Sequence, residues 1–141
     1  MDTLRVASGN GSDRSDATIS LIGVVDDDES IRDALSSLLR SAGYKCAVFP
    51  SAEVFLESGF LSETDCIVLD VQMPGMNGPD LQHKLQETNG AHPIIFITAH
   101  ADEPVRSRVL EEGAVAFLNK PFKDEELLDA IRLALDPSHR K

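Results

Sequence analysis

The stretch VLDVQMPGMNG, residues 68–78, begins as a buried strand and places a carboxylate, Asp70, where the apolar run ends. The chain breakers Pro74 and Gly75 follow within a few residues. Asp70 would need no special explanation if it were simply the first residue of a loop. It would be functional if the strand end held it in place for chemistry. The two interpretations differ in whether other strands of the chain end in the same way.

Length and charge limit the possibilities. The 141 residues suffice for one domain with a real core. The net charge of -11 disfavours nonspecific binding to nucleic acid or anionic lipid and favours a cation or a basic partner. Cys46 and Cys66 lie in apolar stretches and do not resemble a disulfide framework. With no run long enough for a membrane span and no signal peptide core, we expect a cytoplasmic protein.

The pattern of apolar residues predicts the fold. Residues 1–18, rich in Ser, Gly, Asn and Asp, predict a flexible tail; 19–136 form the domain and 137–141 a short C-terminal tail. Strands are predicted from short apolar runs, at residues 19–25, 45–49, 66–69, 93–98 and 114–118. Helical periodicity fills the gaps between them. This alternation predicts an α/β fold with a five-stranded parallel sheet and helices on both faces. We expect the flavodoxin-like doubly wound (βα)5 arrangement, whose strand order is 2-1-3-4-5.

Helix start and stop signals support the same division. Ser51, after Pro50, is expected to cap the second helix, and Pro104 falls in the first turn of the fourth. Gly43 and Gly113 follow the periodic stretches of the first and fourth helices, as C-terminal glycines commonly do.

A second strand also ends in acids. In VVDDDES, Asp26 and Asp27 close strand one, and Asp28 and Glu29 are interpreted as helix-capping residues. Ligands of a doubly wound sheet bind where the strand order reverses, here between strands one and three. Asp26, Asp27 and Asp70 should therefore meet there. Grouped carboxylates repel one another unless a cation lies among them, and a hard ion such as Mg²⁺ suits them.

Strands four and five end in polar groups on the same edge. FITAH places Thr98 there, and FLNKPF places Lys120, whose peptide bond to Pro121 can be cis. Taken singly, Thr98 would be an ordinary strand or capping residue and Lys120 a solvated surface cation. Together with the acids they supply a nucleophile, a metal site, a hydroxyl donor and an ammonium group, the components of phosphoryl transfer. A carboxylate can itself accept the phosphoryl group.

Residues from about 20 to 135 resemble a known family, the receiver domains of two-component response regulators, most closely the FixJ type. The family has an acidic-pair segment, a phosphoacceptor segment, a switch-threonine strand and a Lys-Pro motif. This chain resembles them, in that order, at VVDDDESIR, VLDVQMPGMNG, FITAH and FLNKPF. The resemblance implies a CheY-like fold and phosphorylation of Asp70 by a histidine kinase, a phosphotransfer protein or a small phosphodonor. It implies Mg²⁺ held directly by Asp27 and Asp70, through water by Asp26, and by the backbone carbonyl of Gln72.

The resemblance also implies a switch. Lys120 would pair with the phosphoryl group, Thr98 would move to hydrogen-bond it, and Phe117 would follow inward as a coupled aromatic. For Phe117 the alternative is an ordinary buried aromatic of strand five. The change would reach an output protein, or a second copy of the chain, through the face of helix four, strand five and helix five. On this face we expect Arg106, Arg108, Val109, Phe117 and Phe122.

Three functions stay open on the sequence. Because the chain ends soon after the last helix, at DPSHRK, we expect a stand-alone receiver that acts through protein contacts and does not bind nucleic acid directly. It would not be a turnover enzyme: its only catalysis would be its own phosphorylation and dephosphorylation. The alternative is the receiver half of a FixJ-type DNA-binding regulator. A haloacid-dehalogenase-like phosphatase is disfavoured because Gln72 stands where that class has a second Asp.

Overall fold

The computed structural model describes residues 19–88, 92–100 and 102–137. The predicted N-terminal tail, residues 1–18, lies outside the described residues. So do residues 138–141 of the predicted C-terminal tail. Within the described part of the chain, no helix combines the length and apolar character needed to cross a membrane.

The strands form one sheet in which every neighbouring pair is parallel, in the order β2-β1-β3-β4-β5. The predicted fold class and strand order are confirmed. The strands are β1 (Leu21–Val25), β2 (Lys45–Phe49), β3 (Cys66–Asp70), β4 (Ile94–Thr98) and β5 (Ala116–Asn119). Asp70 is the last residue of β3 rather than the first of a loop, and it is buried with the rest of that strand.

Helices cover both faces of the sheet. They are α1 (Glu29–Ser41), α2 (Ala52–Glu57), α3 (Gly78–Glu87), α4 (Glu103–Glu111) and α5 (Asp124–Leu135), and a short 3₁₀ turn at Leu61–Glu63 precedes β3. The expected caps are present: the Asp28 side chain accepts from the Ser30 N–H, and Ser51 accepts from the Val54 N–H. Each cap satisfies an N–H group that the first turn of a helix leaves unpaired.

The central strands are buried on both faces. Every residue of β3 and β4 is buried, and their side chains alternate between two apolar clusters. Leu69 and Phe96 belong to the cluster on one face, and Val68 and Ile95 to the cluster on the other. A shift by one residue would move every side chain into the opposite apolar cluster, where it does not fit the packing, so the strand ends are fixed in space.

Helix α3 begins in direct contact with the backbone of Asp70. The Gly78 N–H donates to the Val71 carbonyl at 2.9 Å. A Cβ atom at Gly78 would lie 2.5 Å from the Asp70 carbonyl oxygen and 3.0 Å from the Phe96 ring. Only glycine allows the helix to start this close to the end of β3.

We predict that Gly78→Ala destabilises the domain by about 1–3 kcal/mol, because the new methyl group must displace either α3 or the end of β3. Chemical denaturation measures the loss. Ser37→Ala, on the exposed side of α1, is the control and should change stability by less than about 0.5 kcal/mol. Equal stability of the two variants would contradict the close approach of α3 to Asp70.

Candidate functional site

The strand register brings the predicted polar residues to one edge of the sheet. Val25 pairs with Leu69, so the residues that follow them, Asp26 and Asp70, lie side by side at the ends of β1 and β3. On the far side Thr98 pairs with Asn119, and the Lys120 N–H donates to the Thr98 carbonyl at 2.7 Å. Four strand ends therefore lie along the same edge of the sheet.

The three aspartates meet as expected. One carboxylate oxygen each from Asp26, Asp27 and Asp70 lies within 4.8 Å of the others. Asp26 and Asp70 are 0% and 5% exposed, whereas Asp27 is open to solvent. Gln72 is exposed, and its backbone N–H donates to Asp70 Oδ1 at 3.3 Å. A donor set of oxygens only, open on one side, fits a hard divalent cation that keeps some of its water.

Lys120 is the cation within this cluster. Its Nζ atom lies 3.0 Å from Asp26 Oδ2 and 3.8 Å from Asp70 Oδ2, with only 16% of the side chain exposed. The peptide bond between Lys120 and Pro121 is cis. One ammonium group contacts two of the three clustered carboxylates, so the site retains net negative charge and can attract a further cation.

Asp70 is the carboxyl group that this environment affects most clearly. Burial, and then repulsion by Asp26, raises the pKa of Asp70 to about 6, against the opposing effects of Lys120 and of the Gln72 N–H. Asp70 is therefore largely ionised at neutral pH, yet it is more basic than an ordinary aspartate. A basic carboxylate with little solvation is the form that suits a nucleophile.

Asp26 is held by backbone and side-chain contacts of its own. Its Oδ1 accepts from the Asp28 N–H at 2.8 Å, and its carbonyl accepts from the Arg32 guanidinium at 2.8 Å. We did not predict Arg32 at the site. The available signal was its position in the first turns of α1, six residues after Asp26, from which a long side chain can reach back to the strand end.

Thr98 and Phe117 make other contacts in the described structure. The buried Thr98 hydroxyl donates to the His100 carbonyl and accepts from the His100 N–H, both at 3.1 Å. These two contacts are the hydrogen bonds that its hydroxyl makes to described residues. Phe117 is partly buried and packs against the apolar cluster that contains Leu69 and Phe96. Among the contacts of described residues, neither side chain is hydrogen-bonded to the carboxylates of Asp26, Asp27 or Asp70.

A doubly wound sheet with an acid cluster and a lysine at its switch point defines a CheY-like receiver fold. Residues 22–132 match the model of the response regulator receiver domain. The chain belongs to this family. The predicted resemblance to response regulator receiver domains is confirmed.

Two curated relatives show how far the similarity extends. Nodulation protein W of Bradyrhizobium diazoefficiens is 43% identical over 94% of this chain and 59% of its own length. The transcriptional regulatory protein FixJ of the same species is 39% identical over 81% of this chain and 56% of its own length. The chain thus spans little more than half the length of these relatives.

Solved structures agree with the fold. The response regulator StyR is 46% identical, with a TM-score of 0.78 over 84% of this chain and 60% of that one. The Vibrio cholerae chemotaxis protein CheY4 is 28% identical, with a TM-score of 0.76 over 84% of this chain and the whole of that one. The second match confirms the CheY-like architecture.

We predict that, without metal, Asp70→Asn raises the free energy of unfolding at pH 7.5. The pKa of Asp70 is about 6 in the folded protein, against an ordinary 3.8. The folded state therefore binds more protons between these values, and this group's contribution to stability falls as the pH rises through them. The gain should be about 1–2 kcal/mol after allowance for solvent screening, and it should disappear as the pH falls from 6 towards 4.

Urea unfolding between pH 4 and 8 measures this difference. Asp33→Asn is the control, because Asp33 is exposed on α1 away from the cluster. A pH-independent gain in stability for the Asp70 variant, or the same pH profile in both variants, would show that the pKa of Asp70 is not raised by folding.

Proposed function

We propose that the protein accepts a phosphoryl group on Asp70 from a histidine kinase or phosphotransfer protein. The observation that carries this is the buried Asp70 carboxylate beside Asp26, with the Lys120 ammonium group 3.8 Å away. A buried pair of carboxylates has no evident role in stability, since each raises the cost of ionising the other. The same pair suits a reaction at one of its oxygens.

In the reaction, an Asp70 oxygen attacks the phosphorus atom and forms a new P–O bond. The bond from phosphorus to the donor breaks, and the leaving group, such as a histidine imidazole, takes that electron pair. Lys120 holds its ammonium group beside Asp70 Oδ2, where it can pair with a phosphoryl oxygen. Burial of Asp70 limits the water that competes with these contacts.

Magnesium is part of this proposal. Asp26, Asp27 and Asp70 would hold it, with the backbone carbonyl of Gln72, and the three carboxylates offer oxygens close enough to share one ion. When bound, Mg²⁺ supplies positive charge against the phosphoryl oxygens. Asp26 already binds Lys120 and the Asp28 N–H, which fits the expectation that it reaches the ion through water.

The proposed switch begins at Thr98. Its hydroxyl must give up the hydrogen bond that it donates to the His100 carbonyl before it can donate to a phosphoryl oxygen, so an acceptor of similar strength is needed. Phe117 is only partly buried against the core, so an inward movement would bury more of its ring. Phosphorylation would thus bias an equilibrium between two arrangements of the edge that carries β4 and β5.

The output would pass through the face of α4, β5 and α5, either to another protein or to a second copy of the chain. Arg106 and Arg108 are exposed and suit such a contact. Val109 does not: it is 0% exposed and belongs to the core, so its expected place on this face was wrong. The helix turns Val109 towards the sheet because it lies one turn from the partly buried Val105, on the same side of α4.

The stand-alone receiver stays a proposal. The relatives are longer than this chain, and FixJ bears the name of a transcriptional regulatory protein. A receiver half of a DNA-binding regulator is therefore the alternative. In both cases we propose a cytoplasmic signalling domain whose only catalysis is its own phosphorylation and dephosphorylation.

We predict that incubation with acetyl phosphate and Mg²⁺ adds one phosphoryl group, detected by intact mass. Asp70→Asn should lose this addition, because the nucleophilic oxygen is replaced by an amide. Asp33→Asn, an exposed acid elsewhere, should keep it. Normal incorporation by the Asp70 variant would refute the assignment of Asp70. Steady hydrolysis of a phosphomonoester, with no phosphoprotein accumulating, would instead favour a phosphatase.

We further predict that Thr98→Val still takes up the phosphoryl group but no longer transmits it. The valine keeps the branched shape and lacks the hydroxyl, whereas Thr98→Ser keeps the hydroxyl and serves as the control. Amide hydrogen exchange of α4 should change on phosphorylation in the wild type and the serine variant only. The same change in the valine variant would remove Thr98 from the switch.

A further inference from the structure

Glu53 makes a contact with the loop that follows Asp70. Glu53 lies in the first turn of α2, and its Oε2 accepts from the Met76 N–H at 2.8 Å across 23 residues of sequence. The side chain is exposed, so burial does not force it into this position. The hydrogen bond itself holds the pKa of Glu53 below its usual range. The contact links α2, a helix with no residue at the acid cluster, to the loop that carries Gln72.

The backbone of this loop makes room for the carboxylate. Gly75 has a φ of +74°, and a Cβ there would lie 2.7 Å from Glu53 Oε2. Pro74 followed by a left-handed glycine is typical of a type II turn, whose fourth N–H commonly donates to the first carbonyl. Here that fourth N–H, of Met76, donates to Glu53 and not to Met73. The turn is closed by a side chain from another element.

The rest of the loop is held mainly at its base. The Val71 N–H donates to the Ile97 carbonyl, and the Gly78 N–H donates back to the Val71 carbonyl. Between these anchors, Met73 is buried and Met76 partly buried. Among described residues, the Glu53 contact is the hydrogen bond that ties backbone residues 73–76 to another element.

We propose that Glu53 is a positioning residue for the phosphorylation site: by fixing the tip of the loop it holds the Gln72 carbonyl in place for Mg²⁺. This inference rests on the proposed magnesium site. Gln72 lies between Val71, at the base of the loop, and the tip, so a movement of the tip would shift the Gln72 carbonyl. Residues that orient metal ligands without touching the metal commonly change its affinity by about 10–100-fold.

Two features separate this role from general support of the fold. Glu53 is exposed and belongs to a six-residue helix, so its removal leaves no cavity in the core. The interaction needs an acceptor oxygen and not a negative charge, because its donor is a backbone N–H. Glutamine at this position retains an acceptor oxygen, whereas alanine has none.

The test compares Glu53→Ala, Glu53→Gln and Ser51→Ala in the full chain. Ser51→Ala removes the α2 cap and lowers stability without touching the loop. Mg²⁺ is titrated into the unphosphorylated protein and followed by backbone NMR shifts, and hydrogen exchange of the Met76 amide is measured separately. We expect Glu53→Ala to speed that exchange and to raise the Kd for Mg²⁺ about tenfold, the low end for such residues.

Glu53→Gln and Ser51→Ala should bind Mg²⁺ as the wild type does. The phosphorylation rate of Glu53→Ala should recover at saturating Mg²⁺, since its nucleophile is intact. Equal Mg²⁺ affinity in Glu53→Ala and Ser51→Ala would overturn the inference while leaving the proposed function in place. So would an equal loss in the glutamine and alanine variants, which would indicate an effect of charge. A wild type that neither binds Mg²⁺ nor becomes phosphorylated would overturn the proposed function itself.

Discussion

The repulsion among three carboxylates at one end of a buried sheet is the constraint on which this structure depends. Asp26 and Asp70 have almost no access to water, and Lys120 is the cation that the described fold places between them. Holding such groups together opposes folding, because each carboxylate makes ionisation of the others harder. The apolar strands β1 and β3 offset this cost, and the excess negative charge can attract a cation to the site.

The same edge combines rigid and adjustable parts. The strand ends are fixed by a core that is buried on both faces, and Gly78 brings α3 against the Asp70 backbone. The loops beyond them depend on single polar contacts, such as Thr98 with His100 and Glu53 with Met76. A receiver domain needs this combination. If Asp70 accepts a phosphoryl group as proposed, it must stay in place, while the loops must shift for about the free energy of one or two hydrogen bonds.

Much of the fold could be predicted because its signals are local. Apolar runs mark the strands, and Asp28 and Ser51 mark helix starts by satisfying N–H groups only two or three residues away. The approach of Asp26 to Asp70 could also be predicted, since parallel strands place their carboxyl ends at one edge. The burial of Val109 and the 3₁₀ turn at Leu61–Glu63 were not predicted. They depend on how α4 and the segment before β3 pack against the sheet.

The sequence by itself determined the alternation of strands and helices and which residues could form the site, because these follow from periodicity and from the geometry of parallel sheets. The tertiary structure alone decided which partner each residue takes. Lys120 meets Asp26 across 94 residues, and Glu53 meets Met76 across 23. No local pattern encodes such pairs, because each depends on the positions that packing gives to two separate elements.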